Sequence, residues 1–256
     1  MKVVILAGGV GSRLSEETEV IPKPLITIGG QPILLHIMKH YSHYGFDEFY
    51  IALGYKGEAI KKYFVDYLNF NADLTVDFSK GEVSPHDKTP ANWVLNLIDT
   101  GLEPNTGGRL KRLEPWLSEE TFMLTYGDGV SDVNLKEVLA LHKREGRIGT
   151  VTGVRPPSRF GGLELEGNVV SEFIEKPQIG EGWINGGFMV FEPDVFEYIE
   201  GDNTSLEAHV LEALVNDQKL CAYRHDGFWQ CMDTLRDVRL LESLWQSGNA
   251  PWKVWQ

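Results

Sequence analysis

The chain has 256 residues, enough for one large domain or for a domain with a small appendage. Hydrophobic residues make up 42% of it, so a sizeable core is expected and wholesale disorder is not. The formal net charge of −13 argues against a nucleic-acid polymer as partner, because such a ligand favours a basic face, but it leaves room for a nucleotide in a local basic pocket.

The cysteine content and the N-terminus predict a soluble cytoplasmic protein. Cys221 and Cys231 are chemically able to pair, but so few cysteines in a chain of this length fit a reducing compartment better. No apolar run approaches ~18 residues, the length of a membrane span, and the apolar start is shorter than a signal peptide requires.

The N-terminal part of the chain alternates between strand-like and helix-like patterns. Residues 3–7 form a continuous apolar run that ends in glycine, as buried parallel strands do. Pro32 opens a helical pattern with one apolar face, and residues 49–53 read as the next strand. Residues 58–68 read as a helix and 74–78 as a third strand. This β-α-β-α-β order predicts a parallel sheet with helices on both faces.

The rest of the chain predicts a continuation of that sheet, a small β insertion and a C-terminal helical extension. Residues 79–93 are polar and contain two prolines, so we expect a long loop there. The further predicted elements are strands at 94–98, 121–129, 183–191 and 220–224, a hairpin of 162–166 with 169–175, and helices at 106–117, 193–200, 205–217 and 234–247. The predicted fold is α/β and Rossmann-like, with residues 1–225 as the main domain and 226–256 as an extension that completes the site.

A glycine-rich segment follows the first predicted strand, within LAGGVGSRLSEETEVIPKPL at residues 6–25. Gly8, Gly9 and Gly11 let the backbone approach an anion closely, and a strand that feeds such a turn aims backbone N–H groups at it. Arg13 adds a planar cationic fork, and Lys23 is oriented by a proline on either side. The alternative is a tight turn with solvated charges. The combination favours a phosphate site.

Two aspartates are candidate ligands for a divalent cation. Asp128 ends the strand-like segment at 121–129, and the carboxyl edge of a parallel sheet is where open α/β folds bind ligands. Carboxylate oxygens suit Mg²⁺, which commonly takes one or two of them. Asp233 is the second candidate. The alternatives are an Asx turn for Asp128 and a helix N-cap for Asp233.

Three further motifs carry side chains that suit phosphates, sugars or bases. Lys176 lies in EKP at 175–177 and is fixed by the following proline, although a strand-end turn would look similar. Asn185 in INGG offers an amide that both donates and accepts, as sugar hydroxyls require, although a bulge is the alternative. Thr106 and Arg109 in TGGR begin a helix with small residues and then a cation, so this motif suits a base or a phosphate, or else a solvated helix face.

These motifs together resemble the signature of the sugar-1-phosphate nucleotidyltransferases, in the order that family uses and over essentially the whole chain. RLSEET, DTG followed by TGGRLKR, TYGDGVSD, GFWQ-MDTLRD and PWK-W make the chain most similar to members that use CTP and glucose 1-phosphate. Two residues depart from the pattern: Ile21 stands where lysine is expected, and Cys231 stands where proline is expected.

The resemblance implies a fold of the nucleotide-diphospho-sugar transferase type, a Mg²⁺ requirement, and transfer of a cytidylyl group from CTP to glucose 1-phosphate. It implies catalytic roles for Arg13, Lys23 and Asp128, and metal ligation by Asp128 and Asp233. The implied nucleotide-binding residues are Leu6, Ala7, Gly8, Gly9, Gly11, Ser12, Arg13, Lys23, Thr106, Arg109, Gly127 and Asp128. The implied sugar-phosphate-binding residues are Tyr126, Glu175, Lys176, Asn185 and Gly186.

Two alternatives are compatible with the same motifs. One is the same chemistry with UTP, dTTP or GTP and another sugar 1-phosphate. The other is a non-catalytic nucleotide-sugar sensor of the same fold, which we would expect to lack Arg13, Lys23 or one of the acids. The tryptophan-rich C-terminus predicts a tail that packs on its own body or on a neighbouring subunit, and we expect a homo-oligomer.

Overall fold

The computed structural model describes residues 1–9, 21–70, 73–86, 92–155, 162–166, 169–174 and 182–255. The strands in chain order are β1 (Lys2–Ala7), β2 (Thr27–Ile28), β3 (Gln31–Pro32), β4 (Glu48–Leu53), β5 (Leu74–Asp77), β6 (Glu82–Pro85), β7 (Val94–Asp99), β8 (Phe122–Tyr126), β9 (Gly129–Ser131), β10 (Gly149–Val154), β11 (Gly162–Glu166), β12 (Val169–Ile174), β13 (Ile184–Asn185), β14 (Met189–Phe191), β15 (Leu220–His225) and β16 (Trp229–Cys231). The α-helices are α1 (Ile33–His43), α2 (Gly57–Phe70), α3 (Thr106–Lys111), α4 (Glu114–Leu117), α5 (Leu135–Glu145), α6 (Glu212–Asn216) and α7 (Leu235–Gln246).

The central sheet has the strand order β13-β10-β14-β8-β1-β4-β7, with β15 paired to β10. The pairs β8–β1, β1–β4 and β4–β7 are parallel, whereas β14 runs antiparallel to β8 and to β10. The fold class predicted from the sequence, a Rossmann-like and mostly parallel sheet, is confirmed. The predicted β insertion is also present, as the antiparallel pair of β11 and β12.

Helices cover both faces of this sheet because its central strands are apolar on both sides. In β1, Val3 and Ile5 point into a core shared with α1, α2 and α7. Val4 and Leu6 point into a second core, shared with α3, α4 and the segment around residues 195–214. Alternate residues of a strand face opposite sides, so one continuous apolar run serves both cores.

The third parallel strand is β7 and not the predicted segment 74–78. Within the described residues, β5 pairs only with β6, in a separate antiparallel hairpin. The expectation of one continuous loop at 79–93 was therefore also wrong. Val76 and Phe78 are 48% and 92% exposed, whereas Leu95 and Leu97 of β7 pack against the core. Residues 74–78 and β7 have similar local patterns, and β7 joins the parallel sheet because its side chains are buried there.

Two predicted α-helices have other helical geometries in part. Residues Pro193–Tyr198 form a 3-10 helix, and Leu206–Leu211 form a π-helix that continues into α6. Within the described part of the chain, no helix is long and apolar enough to span a lipid bilayer.

The C-terminal tail packs on its own body. The ring of Trp252 is 1% exposed and stacks on Phe228 with 5.6 Å between centroids. Its indole N–H donates to Nδ1 of His36 on α1 over 3.3 Å. Of the two alternatives for the tail, packing on its own body or on a neighbouring subunit, Trp252 takes the first. The expected homo-oligomer stays a prediction.

Candidate active site

A pocket of about 410 Å³ lies at the carboxyl edge of the parallel strands. Its floor is formed where β1 and β8 end, at Gly8 and Gly127. The lining residues are Leu6, Ala7, Gly8, Gly9, Lys23, Pro24, Pro104, Asn105, Thr106, Arg109, Tyr126, Gly127, Asp128 and Asp233. Residues from distant parts of the sequence therefore meet at the edge where α/β sheets bind ligands.

The pocket contains an ammonium group between two carboxylates. Nζ of Lys23 lies 2.6 Å from Oδ2 of Asp128 and 2.7 Å from Oδ1 of Asp233. The Lys23 side chain is only 12% exposed. Burial by itself lowers the pKa of this ammonium, but the two carboxylates outweigh burial and raise the pKa above its ordinary value. Lys23 is therefore held as a cation in the pocket.

Lys23 reaches the carboxylates from a short 3-10 helix, Lys23–Leu25. Pro22 and Pro24 on either side restrict the backbone, as the sequence predicts, and Pro24 is buried. The bond from Leu25 N–H to the carbonyl of Pro22, 2.8 Å long, closes the turn. The direction of the lysine side chain is thus fixed by the local chain.

Asp128 and Asp233 approach each other through a small antiparallel pair. Strand β16 pairs with β9, with Cys231 opposite Gly129, and the N–H of Met232 donates to the carbonyl of Asp128 over 2.8 Å. Asp233 follows immediately, so its carboxylate faces that of Asp128 across the pocket. The C-terminal segment thus supplies one of the two acids.

Asp233 is not the N-cap of the last helix, which was the alternative reading of this residue. The cap of α7 is Thr234, and Thr234 forms a capping box with Asp237. The carboxylate of Asp237 accepts from the backbone N–H groups of Asp233 and Thr234, over 3.1 and 2.8 Å. Because Thr234 and Asp237 cap the helix, the Asp233 side chain reaches Lys23 instead.

The carboxylate pair fits a divalent metal ion chemically. The two carboxylates supply hard oxygen donors that converge on one point. In this structure the Lys23 ammonium lies between them, so their arrangement already suits a cation. Among the described residues no group of three or more His, Cys, Asp or Glu side chains forms a metal cluster. Mg²⁺ needs none, because it commonly takes one or two carboxylates and completes its shell with water and phosphate oxygens.

Arg109 of α3 is 6% exposed, and its hydrogen bonds point into the protein wall. Its Nη1 donates to the carbonyl of Gly101 over 2.6 Å and to the Thr100 hydroxyl over 3.0 Å, and its Nη2 donates to the carbonyl of Leu102 over 2.9 Å. A Cβ on Gly8 would lie only 2.6 Å from Cζ of this guanidinium. These contacts favour a role in holding the loops after β1 and β7, and contact of Arg109 with the base stays a prediction.

A second polar network joins the predicted nucleotide side of the pocket to the predicted sugar side. The Tyr126 hydroxyl donates to Oε1 of Glu207 over 2.6 Å, and the Thr106 hydroxyl donates to Oε2 over 2.7 Å. The Asn185 amide lies 3.4 Å from the Tyr126 hydroxyl. Asn185 also accepts from the N–H of Gly187 over 3.0 Å, which holds the INGG turn.

The structure thus brings together most of the residues that the motifs single out, but not all of them are described. Gly11, Ser12, Arg13, Glu175 and Lys176 lie outside the described residues. Gly186 is held at the edge of the sheet, where its carbonyl accepts from the indole N–H of Trp229 over 2.8 Å. Sequence reasoning missed Pro24, Pro104 and Asn105 in the pocket lining, and Glu207 behind it. Glu207 carries no motif, and only the tertiary fold reveals its place.

Comparison with known proteins identifies the family of the chain. The family model described as "Nucleotidyl transferase" matches residues 2–249. The chain belongs to the nucleotidyl transferase family, as the motifs predict.

Within this family, the chain is similar over its full length to glucose-1-phosphate cytidylyltransferases. The chain is 48% identical to a glucose-1-phosphate cytidylyltransferase of Salmonella typhi over 257 residues, covering 100% of both chains. It is 45% identical to a probable glucose-1-phosphate cytidylyltransferase of Bacillus subtilis over 256 residues, again covering 100% of both. The fold is similar to that of HddC from Yersinia pseudotuberculosis complexed with GMP-PN, with a TM-score of 0.69, 22% identity, and coverage of 95% of this chain and 99% of that one.

Proposed function

We propose that the protein transfers the cytidylyl group of CTP to α-D-glucose 1-phosphate and releases CDP-glucose and pyrophosphate. Relatives with that activity match it over its full length. The structural observation that carries the proposal is the buried Lys23 ammonium, bracketed by Asp128 and Asp233 in a pocket at the carboxyl edge of the sheet. With Mg²⁺ on the two carboxylates, a site of this kind would bring net cationic charge to phosphates.

The reaction is an attack by a phosphate oxygen of the sugar on the α-phosphorus of CTP. The bond from the α-phosphorus to the oxygen that bridges to the β-phosphorus breaks, and pyrophosphate leaves with that electron pair. The attacking oxygen is already ionised at neutral pH, so no general base is needed. Catalysis then depends on positioning and on charge stabilisation.

Both substrates are anions, so electrostatic repulsion between their phosphates opposes the reaction. Two unit charges of like sign ~4 Å apart repel by about 4 kcal/mol at an effective dielectric constant of about 20. That energy corresponds to roughly a thousandfold in rate. A fixed cation at the reacting phosphates offsets a repulsion of this order, and Lys23 is already held as one. We infer that Lys23 contacts the α-phosphate or the incoming sugar phosphate.

Asp128 and Asp233 would hold Mg²⁺. When bound, the ion supplies Lewis-acid charge neutralisation at the phosphate oxygens. The backbone of Gly8 and Gly9 lines the same pocket, and a Cβ on Gly9 would meet no atom within 4 Å. We infer that this turn and Arg13 hold the triphosphate. We infer that the glycine-rich turn also supplies a backbone carbonyl oxygen to the amino group that distinguishes cytosine from uracil.

The sugar phosphate would bind on the Tyr126 and Asn185 side of the pocket. Tyr126 lines the pocket one residue before Gly127, and Asn185 lies beside it. We infer that Lys176 binds the phosphate of the sugar and that Glu175 and Gly186 complete this side. The proposal also includes residues 226–256 as an extension that completes the site, a homo-oligomer, and a cytoplasmic location, all of which stay predictions from the sequence.

The test is pyrophosphate release from CTP, UTP, dTTP and GTP, each with glucose 1-phosphate, with Mg²⁺ and with a chelator. We expect turnover with CTP to exceed that with the other triphosphates and to stop in the chelator. Equal turnover with UTP or dTTP would contradict cytosine specificity. No turnover with any triphosphate would contradict the activity itself.

A further inference from the structure

Glu207 lies behind the pocket and collects three hydroxyl groups. It is in the first turn of the π-helix Leu206–Leu211. The hydroxyl of Tyr126 donates to its Oε1 over 2.6 Å, and the hydroxyls of Thr106 and Ser205 donate to its Oε2 over 2.7 and 2.9 Å. Burial by itself raises the pKa of this carboxyl, but the bonds from Thr106 and Tyr126 outweigh burial and lower it below its ordinary value. Glu207 is therefore ionised at neutral pH.

An ionised carboxylate accepts hydrogen bonds and cannot donate them. Each hydroxyl group that contacts Glu207 must therefore donate its single proton to the carboxylate in a hydrogen bond. The Tyr126 oxygen then has only lone pairs for every other neighbour. The Asn185 amide, 3.4 Å away, donates to that oxygen. Tyr126 also lines the pocket, so a ligand that reaches its hydroxyl oxygen meets an acceptor and not a donor.

We propose that Glu207 is a positioning residue that fixes the Tyr126 hydroxyl as a hydrogen-bond acceptor for a hydroxyl group of the hexose phosphate. This inference rests on the proposed function. Glu207 selects ligands that donate at this point, as a sugar hydroxyl does, over groups that only accept. The sugar side of the pocket is thereby matched to the uncharged, hydroxyl-rich part of a sugar phosphate.

Replacement of Glu207 by glutamine tests the direction of these bonds. Glutamine has one accepting oxygen and one donating nitrogen in the same shape. Its oxygen serves the two hydroxyls of Thr106 and Ser205, so its NH₂ faces the single hydroxyl of Tyr126. Tyr126 must then accept from the amide and turn its proton towards the pocket. The substitution reverses the polarity of Tyr126 and keeps the Thr106 contact.

The expected result of Glu207→Gln is a KM for glucose 1-phosphate about tenfold higher, which is the effect of about 1.4 kcal/mol, with the KM for CTP within about twofold. Tyr126→Phe is expected to raise the same KM, and the double variant to be no worse than the poorer single variant. The matched control is Asp217→Asn, since Asp217 accepts from the Tyr198 hydroxyl over 2.7 Å at an exposed position. That control is expected to leave both KM values unchanged.

Three results would overturn the inference. The first is a KM for glucose 1-phosphate within twofold of wild type in Glu207→Gln or in Tyr126→Phe. The second is that the effects of the two substitutions add in the double variant. The third is an equal rise of the KM values for both substrates in Glu207→Gln, together with a lower Tm. The last is what a merely structural link between α3 and the π-helix would give. The wild type is assayed in parallel, so loss of turnover in the wild type contradicts the proposed function, whereas a silent Glu207→Gln in an active background contradicts only this inference.

Discussion

The backbone N–H of Met232 donates to the carbonyl oxygen of Asp128 over 2.8 Å, and this bond joins the end of β8 to the C-terminal segment. Because Asp233 is the next residue, the same bond sets the separation of the two carboxylates around Lys23. The site therefore depends on the pairing of β9 with β16 and not only on the glycine-rich turn.

Removal of either the Lys23 ammonium or the Asp128 carboxylate is expected to abolish most of the turnover. Lys23→Ala and Asp128→Ala should each slow turnover by roughly 10²–10³, the usual effect of losing one preorganised charged group at a reacting centre. Steady-state pyrophosphate release measures this effect, and circular dichroism checks the fold. Lys62→Ala is the matched control, because Lys62 pairs with Asp66 over 2.6 Å on the surface. Near-normal turnover of either site variant would remove that residue from the catalytic centre.

A methyl group at Gly108 is expected to destabilise the protein. A Cβ there would lie 2.6 Å from Cα of Asp202, and this backbone cannot yield as a flexible side chain does. Gly108→Ala should lower the free energy of unfolding by about 1–3 kcal/mol, the usual cost of overpacking. Gly201→Ala is the control, since a Cβ at Gly201 meets no atom within 4 Å. Urea unfolding of both variants measures the difference, and equal stability would show that α3 shifts without cost.

The meeting of Lys23 and Asp128 in the pocket was predictable from the sequence because each lies in a local pattern. Lys23 lies between prolines, and Asp128 ends a strand between glycines, so the chain itself orients them. Glu207 was not predictable, since its role depends on the packing of α3 against a helix of distant sequence. Gly108 belongs to the same packing, since a Cβ there would meet the backbone of Asp202.

The fold shows the same division between local and tertiary information. The apolar run of β1 predicts a buried parallel strand without reference to the rest of the chain. The choice between residues 74–78 and β7 as the next parallel strand is different, because both segments alternate in similar ways. It is decided by which of them packs its leucines against the core, and that is a tertiary property.

The C-terminal tail is expected to be a stabilising element. Trp252→Ala removes a buried ring that stacks on Phe228 and donates to His36, so it should lower the free energy of unfolding by about 3–5 kcal/mol. Trp116→Ala is the matched control, because Trp116 is 41% exposed. Chemical denaturation followed by circular dichroism distinguishes them. Equal losses in the two variants would show that the tail adds no more than a surface tryptophan.

Acid is expected to destabilise the protein partly through His40. Nε2 of His40 lies 3.0 Å from the carbonyl of Val133, which can only accept, so this nitrogen carries the proton in the neutral ring. Burial lowers the pKa of His40 from 6.5 to about 4. Between those values the unfolded chain binds more protons than the folded one, so stability is complete above pH 6.5 and is lost as the pH falls towards 4.

His40→Gln removes this titration and keeps a donor for Val133. From pH 7 to pH 5 the wild type should lose about 2 kcal/mol more stability than this variant, since each pKa unit corresponds to about 1.36 kcal/mol. His36, whose pKa burial also lowers, is present in both proteins and cancels in the comparison. His43→Gln, an exposed position on the same helix, is the control and should follow the wild type. If His40→Gln and the wild type lose stability equally over this range, then His40 is not the group that makes folding acid-sensitive.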